Sequence, residues 1–124
     1  MMVLIRKFED IVAWQEARKL VSSIYKLTTI GALAKDYGLR DQLQRASVSA
    51  MTNIAEGFDC ESKIEFARFL GIARRSVVEV QSLLYAALDV GYIDQETFNV
   101  EYQRAEKTKA LIGGLKRSLK PKDS

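Results

Sequence analysis

The chain has 124 residues, 48% of them apolar and 28% charged, and its 19 basic and 16 acidic side chains leave a formal net charge of +3. That length holds one core rather than two, and that composition excludes intrinsic disorder and a chain made of membrane spans. A lone cysteine, Cys60, excludes an internal disulfide and suits a reducing cytoplasm, the expected location; Met1–Ile5 is too short for the apolar stretch of a secretion signal, and no apolar run reaches the ~20 residues of a bilayer span.

The only proline, Pro121, falls in the C-terminal tail, so nothing interrupts long helices before it. The first predicted helix covers about 10–29. Trp14, Ala17, Val21, Ile24 and Thr28 recur at alternating three and four, and Leu20 and Leu27 widen the stripe. Glu9 and Asp10 are expected at its start, where the helix dipole favours negative charge. Gly31 is expected to end it, with 29–38 as a connection.

The second helix is predicted over about 39–56, with Leu39, Leu43, Ala46, Ala50 and Asn53 or Ile54 on one face. Ala46, Ser47, Ser49, Ala50 and Ala55 let a neighbouring backbone approach closely, and Gly57 fits the left-handed position that commonly closes a helix. The third helix, about 62–90, opens on the capping pattern Ser62-x-x-Glu65. Phe66, Phe69, Leu70, Ala73, Val77, Val80, Leu84, Ala87 and Leu88 follow the helical period to Gly91, over roughly 40 Å. Asp94 is the expected N-cap of a fourth helix over about 94–119, with Phe98, Ala105, Ile112, Leu115 and Leu119 as its apolar face and Gly113 and Gly114 as weak points. A polar tail, 120–124, follows. Four amphipathic helices on short connections predict one all-α domain over 1–124, an antiparallel up-and-down four-helix bundle.

The third helix carries more apolar surface than one core contact needs. Its core arc from Val77 to Val90 is about 160° wide, beyond the ~100° of a surface helix. Gly71, Arg74, Val78, Gln81 and Tyr85 form a second row outside that arc. Small, aromatic and arginine side chains in one row resemble a protein interface, here between copies of the chain. Scattered surface apolar residues are the plainer account.

Catalysis finds little to work with. The chain has no histidine, the commonest general base and metal ligand, and one cysteine cannot build a thiolate zinc site. No phosphate-binding glycine loop occurs, and no nucleophile–base pair can be assembled. Neither a cofactor nor a small-molecule substrate is implied. Asp59, Glu61 and Glu65 cluster where acidic residues are expected for helix capping, which outweighs a hard-cation site. Glu56, in a last turn that disfavours negative charge, is expected to pair with Arg68 or Arg45, of this chain or of a neighbour. Asn53 is expected to be a buried polar residue that fixes register.

The basic residues are better ordered than the net charge. Arg68 and Arg75 align on the third helix with Arg74 beside them; Lys109, Lys116 and Lys120 share a stripe with Tyr102 on the fourth, extended by Arg117 and Lys122. The dipole alone favours lysines at a helix C-terminus. Repeated around an oligomer, however, a modest patch becomes a surface able to hold RNA or DNA by its phosphates.

Several segments carry a family resemblance. Phe8-Glu-Asp-Ile-Val-Ala-Trp-Gln-Glu-Ala17, Tyr37-Gly-Leu, Gln44-Arg-Ala-Ser47, Asn53-Ile-Ala-Glu-Gly57 and Glu65-Phe-Ala-Arg-Phe-Leu-Gly-Ile-Ala73 occur in that order, extended by 76–79 and 88–92. Over about 8–119 the chain resembles the small four-helix bundle proteins also called 23S rRNA intervening-sequence proteins; Asn-Ile-Ala-Glu-Gly followed by Glu-Phe is the most specific part. The resemblance implies an antiparallel bundle that assembles as a homopentamer, encoded in bacterial 23S rRNA genes or elsewhere in bacterial genomes, with no enzymatic activity. The family is similar to the accessory variability determinant of diversity-generating retroelements, a basic pentamer that binds nucleic acid and a reverse transcriptase. Two departures stand out. Phe58-Asp-Cys-Glu-Ser62 is acidic where many members carry a basic residue, which weakens an RNA contact there. Arg74-Arg75 replaces an expected small residue, which strengthens one along the third helix.

The expectation is therefore a non-enzymatic homo-oligomer, a pentamer by resemblance. It would hold structured RNA or a nucleoprotein through Arg68, Arg74, Arg75, Lys109, Lys116 and Lys120, and meet its own copies along Gly71, Arg74, Val78, Gln81 and Tyr85. The alternative is a protein–protein adaptor or scaffold with no nucleic-acid role.

Overall fold

In a computed structural model, which describes residues 4–120, the amphipathic segments form α1 (Val12–Thr28), α2 (Tyr37–Asp59), α3 (Lys63–Asp89) and α4 (Gln95–Ser118), with 3-10 turns at Phe8–Asp10 and Ala32–Lys35. No strand occurs among the described residues. The first residues of the N-terminal reading and the tail residues Pro121 and Lys122 lie outside them.

Side-chain pairings fix the topology. The Gln44 amide donates to Thr28 Oγ1 at 3.0 Å between α1 and α2, and Ser49 Oγ meets Ser76 Oγ at 2.8 Å between α2 and α3. Gln81 Nε2 donates to Glu106 Oε1 at 2.9 Å between α3 and α4, and Lys107 reaches Glu16 at 3.3 Å between α4 and α1. Residue numbers rise on one helix as they fall on the next: Ser23 meets Glu101 while Glu16 meets Lys107. The result is an antiparallel four-helix bundle closed by the α1–α4 contact.

Leu20, Ile24, Leu43, Ile54, Leu70, Val77, Leu84 and Ile112 are fully buried at its centre. Each such side chain stabilises by about 1.5–3 kcal/mol relative to exposure. Thr28 and Thr108 share that interior because each hydroxyl donates to the carbonyl one turn back, Ile24 O at 2.7 Å and Arg104 O at 2.9 Å.

Three boundaries depart from the sequence expectation. Asp10 does not open α1: its carboxylate accepts from Arg6 N (3.0 Å) and Lys7 N (3.3 Å), which caps the preceding turn, and α1 begins at Val12. The connection is shorter than 29–38 because Asp36 caps α2, taking Leu39 N at 3.1 Å, so the helix starts at Tyr37. Gly57 does not close α2, which runs on to Asp59. Its φ is not positive, and it is glycine for space, since a β-carbon would stand 2.7 Å from Phe69 Cβ. Elsewhere the expected signals act as read. Ser62 Oγ accepts from Glu65 N at 3.2 Å, and Asp94 accepts from Thr97 N at 2.8 Å. Gly91, at φ +83, ends α3 by letting Tyr92 N return to Ala87 O.

Candidate nucleic-acid interface

The seam between α3 and α4 gathers the basic side chains because small residues leave them room. Arg75 Nη1 and Lys116 Nζ close over buried Gly71, 3.6 and 3.2 Å from where a β-carbon would stand. At Gly113 the same position lies 3.9 Å from Arg74 Nε and 3.3 Å from Arg117 Nη1. Gly113, a weak point for the helix, thus leaves room for the Arg117 guanidinium to close on its surface beside Arg74. Arg75, Lys116 and Arg117 have no carboxylate within ion-pair distance among the described residues. Like charges held together over a low-dielectric surface raise the local positive potential.

Other members of the expected set are already engaged. Lys109 Nζ sits 3.1 Å from Glu106 Oε1, and the hydrogen bond from Gln81, followed by that from Lys109, holds the Glu106 carboxyl below its ordinary pKa. Arg74 adds a favourable charge to the same carboxylate. Arg68 pairs with Glu65 at 3.1 Å, lies over the Phe69 ring at 4.7 Å, and has its pKa raised by the Glu65 hydrogen bonds. Lys120 is exposed at the end of α4. The structure therefore brings Arg74, Arg75 and Lys116 together with Arg117, and leaves Arg68, Lys109 and Lys120 on the margins.

The second row of α3 divides between this intramolecular seam and the exterior. Gly71 is buried beneath Lys116, and Gln81 is 4% exposed and spent on Glu106. Tyr85 packs at a tilt against Phe98, ring centroids 4.7 Å apart, and edge-to-face against Tyr102 at 5.8 Å. Gly71 and Gln81 thus contact α4 rather than the exterior, because α4 packs beside the α2-facing arc. Val78, Arg74 and the outer half of Tyr85 remain exposed.

Of the two polar residues singled out on α2, Asn53 is half-buried and acts as a link in a chain. Its Nδ2 donates to Ser49 O and to Ser49 Oγ, and Ser49 meets Ser76 of α3. Glu56 is exposed and forms no ion pair within the chain among the described residues, where Arg68 is held by Glu65, which leaves pairing to a neighbouring copy as the expected alternative. No three His, Cys, Asp or Glu side chains converge among the described residues, and Glu65 of the acidic cluster turns to Arg68.

A polar α1–α4 seam escaped the sequence reading. Burial pushes the Glu16 carboxyl up, but hydrogen bonds from Lys107 and Lys19 outweigh it and hold the pKa below its ordinary value. Ser23 donates to buried Glu101, and Arg104 Nε lies 3.8 Å from that carboxylate, too far for a hydrogen bond. The available signal was phase, because Glu16 falls between Ala13, Ala17 and Leu20 in the apolar stripe.

A family model described as 23S rRNA-intervening sequence protein matches residues 9–114. A solved structure of a protein of unknown function from the S23 ribosomal protein family, from Bacteroides thetaiotaomicron, superposes with a TM-score of 0.80 at 19% identity, covering 86% of this chain and 96% of that one. At that identity the likeness speaks for the four-helix fold. Among curated proteins, none matches in sequence. No helix among the described residues is long and apolar enough to cross a membrane.

Proposed function

Because the chain belongs to the 23S rRNA-intervening sequence protein family, we propose that it is a non-enzymatic, homo-oligomeric nucleic-acid-binding protein that holds structured RNA by its phosphates along the α3–α4 seam. The observation that carries this reading is the group of Arg75, Lys116 and Arg117 laid over Gly71 and Gly113 without a carboxylate partner among the described residues. Unneutralised cations fixed on a rigid helix pair are the feature that phosphate tracking needs, and they carry no base-edge readout. Arg74 joins them by closing on Gly113, and Lys120 and Arg68 extend the surface along each helix.

Assembly is part of the same proposal. A homopentamer, the state implied by the resemblance, would repeat the seam around a ring and turn a net charge of +3 per chain into a broad positive surface. Val78 at 43% exposure is the apolar side chain of the outer α3 row left for contact between copies.

The test is binding to a labelled structured RNA across a salt series, with a matched duplex DNA alongside. Affinity is expected to fall linearly on a log–log scale, and Arg75→Gln with Lys116→Gln to flatten the slope by roughly 2. Absence of binding at low salt, or a slope unchanged in the double variant, would refute the assignment.

A further inference from the structure

The first turn of α3 and the last turn of α4 leave a cleft of about 320 Å³, walled by Ile64, Ala67 and Leu119 and rimmed by Lys63, Lys116 and Lys120. No acidic side chain lines it, and none of the three lysines has a carboxylate within ion-pair distance among the described residues. The dipole of α4 accounts for Lys116 and Lys120 at its C-terminal end. It does not account for Lys63, which occupies the first residue of α3, where a cation is disfavoured. Nor does core packing account for Ile64, which is 81% exposed.

We propose that this cleft docks an acidic amphipathic segment of a partner protein. An aliphatic side chain of that segment enters between Ile64 and Leu119 while its carboxylates meet Lys63, Lys116 and Lys120. Charge complementarity selects an acidic partner, and the volume, near the lower end for small-molecule pockets, suits one or two anchoring side chains. An apolar-walled groove is also the setting in which amphipathic helices dock. Phosphate contacts alone would use the lysines and leave the apolar side chains of Ile64, Ala67 and Leu119 without a role. The inference goes beyond the RNA reading, and Lys63 and Ile64 lie outside the residues which that reading uses.

The experiment is selection from a displayed library of random peptides, long enough for a few helical turns, on the full wild-type chain alone, after which the enriched peptides are titrated against wild type, Ile64→Ala and Lys63→Glu. Enriched peptides should combine Asp or Glu with Leu, Ile or Phe at helical spacing. They should weaken about tenfold on Ile64→Ala and on Lys63→Glu, as loss of an anchor or a facing charge requires. Ile64 and Lys63 are exposed, so both variants should keep the wild-type circular dichroism and melting temperature. The same variants are titrated with the labelled RNA and with phosphatidylserine vesicles. Intact RNA binding by Ile64→Ala separates the two sites, and a chain that binds no RNA leaves the peptide result standing on its own. Peptides that bind wild type and Ile64→Ala equally, or a selected set without acidic and apolar residues, would overturn the proposal. RNA or vesicle binding that depends on Ile64 while no peptide is enriched would overturn it in favour of that ligand.

Discussion

A β-carbon on Gly57 would stand 2.7 Å from Phe69 Cβ and 3.0 Å from Phe66 Cδ1, and neither neighbour is the loose end of a flexible chain. On Gly114 the nearest atom would be Arg117 Nη2 at 3.8 Å, ordinary contact with a movable tip. Both glycines lie inside helices, so propensity alone ranks Gly57→Ala and Gly114→Ala together, each stabilising by up to ~1 kcal/mol. The packing separates them. Gly57→Ala is expected to destabilise by about 1–3 kcal/mol because α2 and α3 must move apart, whereas Gly114→Ala should keep the propensity gain. Urea unfolding midpoints of the two variants against wild type decide it, and equal shifts would show that the α2–α3 approach is not tight. Asn53 makes the same point for polar groups. Its amide is satisfied by Ser49 one turn back, and the step across to α3 is made by the Ser49–Ser76 hydroxyl pair.

At the scale of elements, apolar period and caps were enough to place all four helices, since Ser62 and Asp94 cap where their spacing says and the centres of the expected stripes are buried, Trp14, Ala17, Leu20 and Ile24 on α1 and Leu70, Ala73, Val77, Val80 and Leu84 on α3. Which polar residues face which helix was not legible. Whether Gln81 looks outward or across to Glu106 depends on where α4 packs, and no period on α3 contains that information. The basic set suffered likewise: Arg68 and Arg75 look equivalent in sequence, yet one is bound to Glu65 and the other lies free over Gly71. The α1–α4 seam supplies a test of this hidden layer. Glu16 has a folded pKa below its ordinary value, so its contribution is present above about pH 4.5 and lost as pH falls through the lower folded value. Glu16→Gln should therefore cost about 1–2 kcal/mol at neutral pH, because the lysines that face it are largely exposed and screened. In acid, once the wild-type carboxyl is protonated, the difference should vanish. A cost independent of pH would mean that Glu16 acts through packing rather than charge.

For the whole molecule, the proposed RNA binding and the proposed ring would be coupled through charge. One seam offers a few phosphate contacts, too few for tight binding at physiological salt, whereas copies on one ring raise the effective concentration of each further contact. Dissociating the assembly should then weaken RNA binding without touching a basic residue. Val78 is the side chain to change, since Tyr85 is committed to Phe98 and Tyr102 within its own chain and its loss would disturb the fold. Val78→Glu places a carboxylate on the exposed α3 row while the buried neighbours Val77 and Val80 stay as they are. Light-scattering mass of wild type across the micromolar range is expected to report a pentamer, and Val78→Glu a smaller species with the same helical content and a shallower salt dependence of RNA affinity. A wild-type monomer at every concentration would remove the ring and leave each chain with a single seam. A variant that stays pentameric would move the contact to another face. Dissociation with RNA affinity unchanged would show that one seam suffices, and that the ring serves something other than nucleic-acid binding.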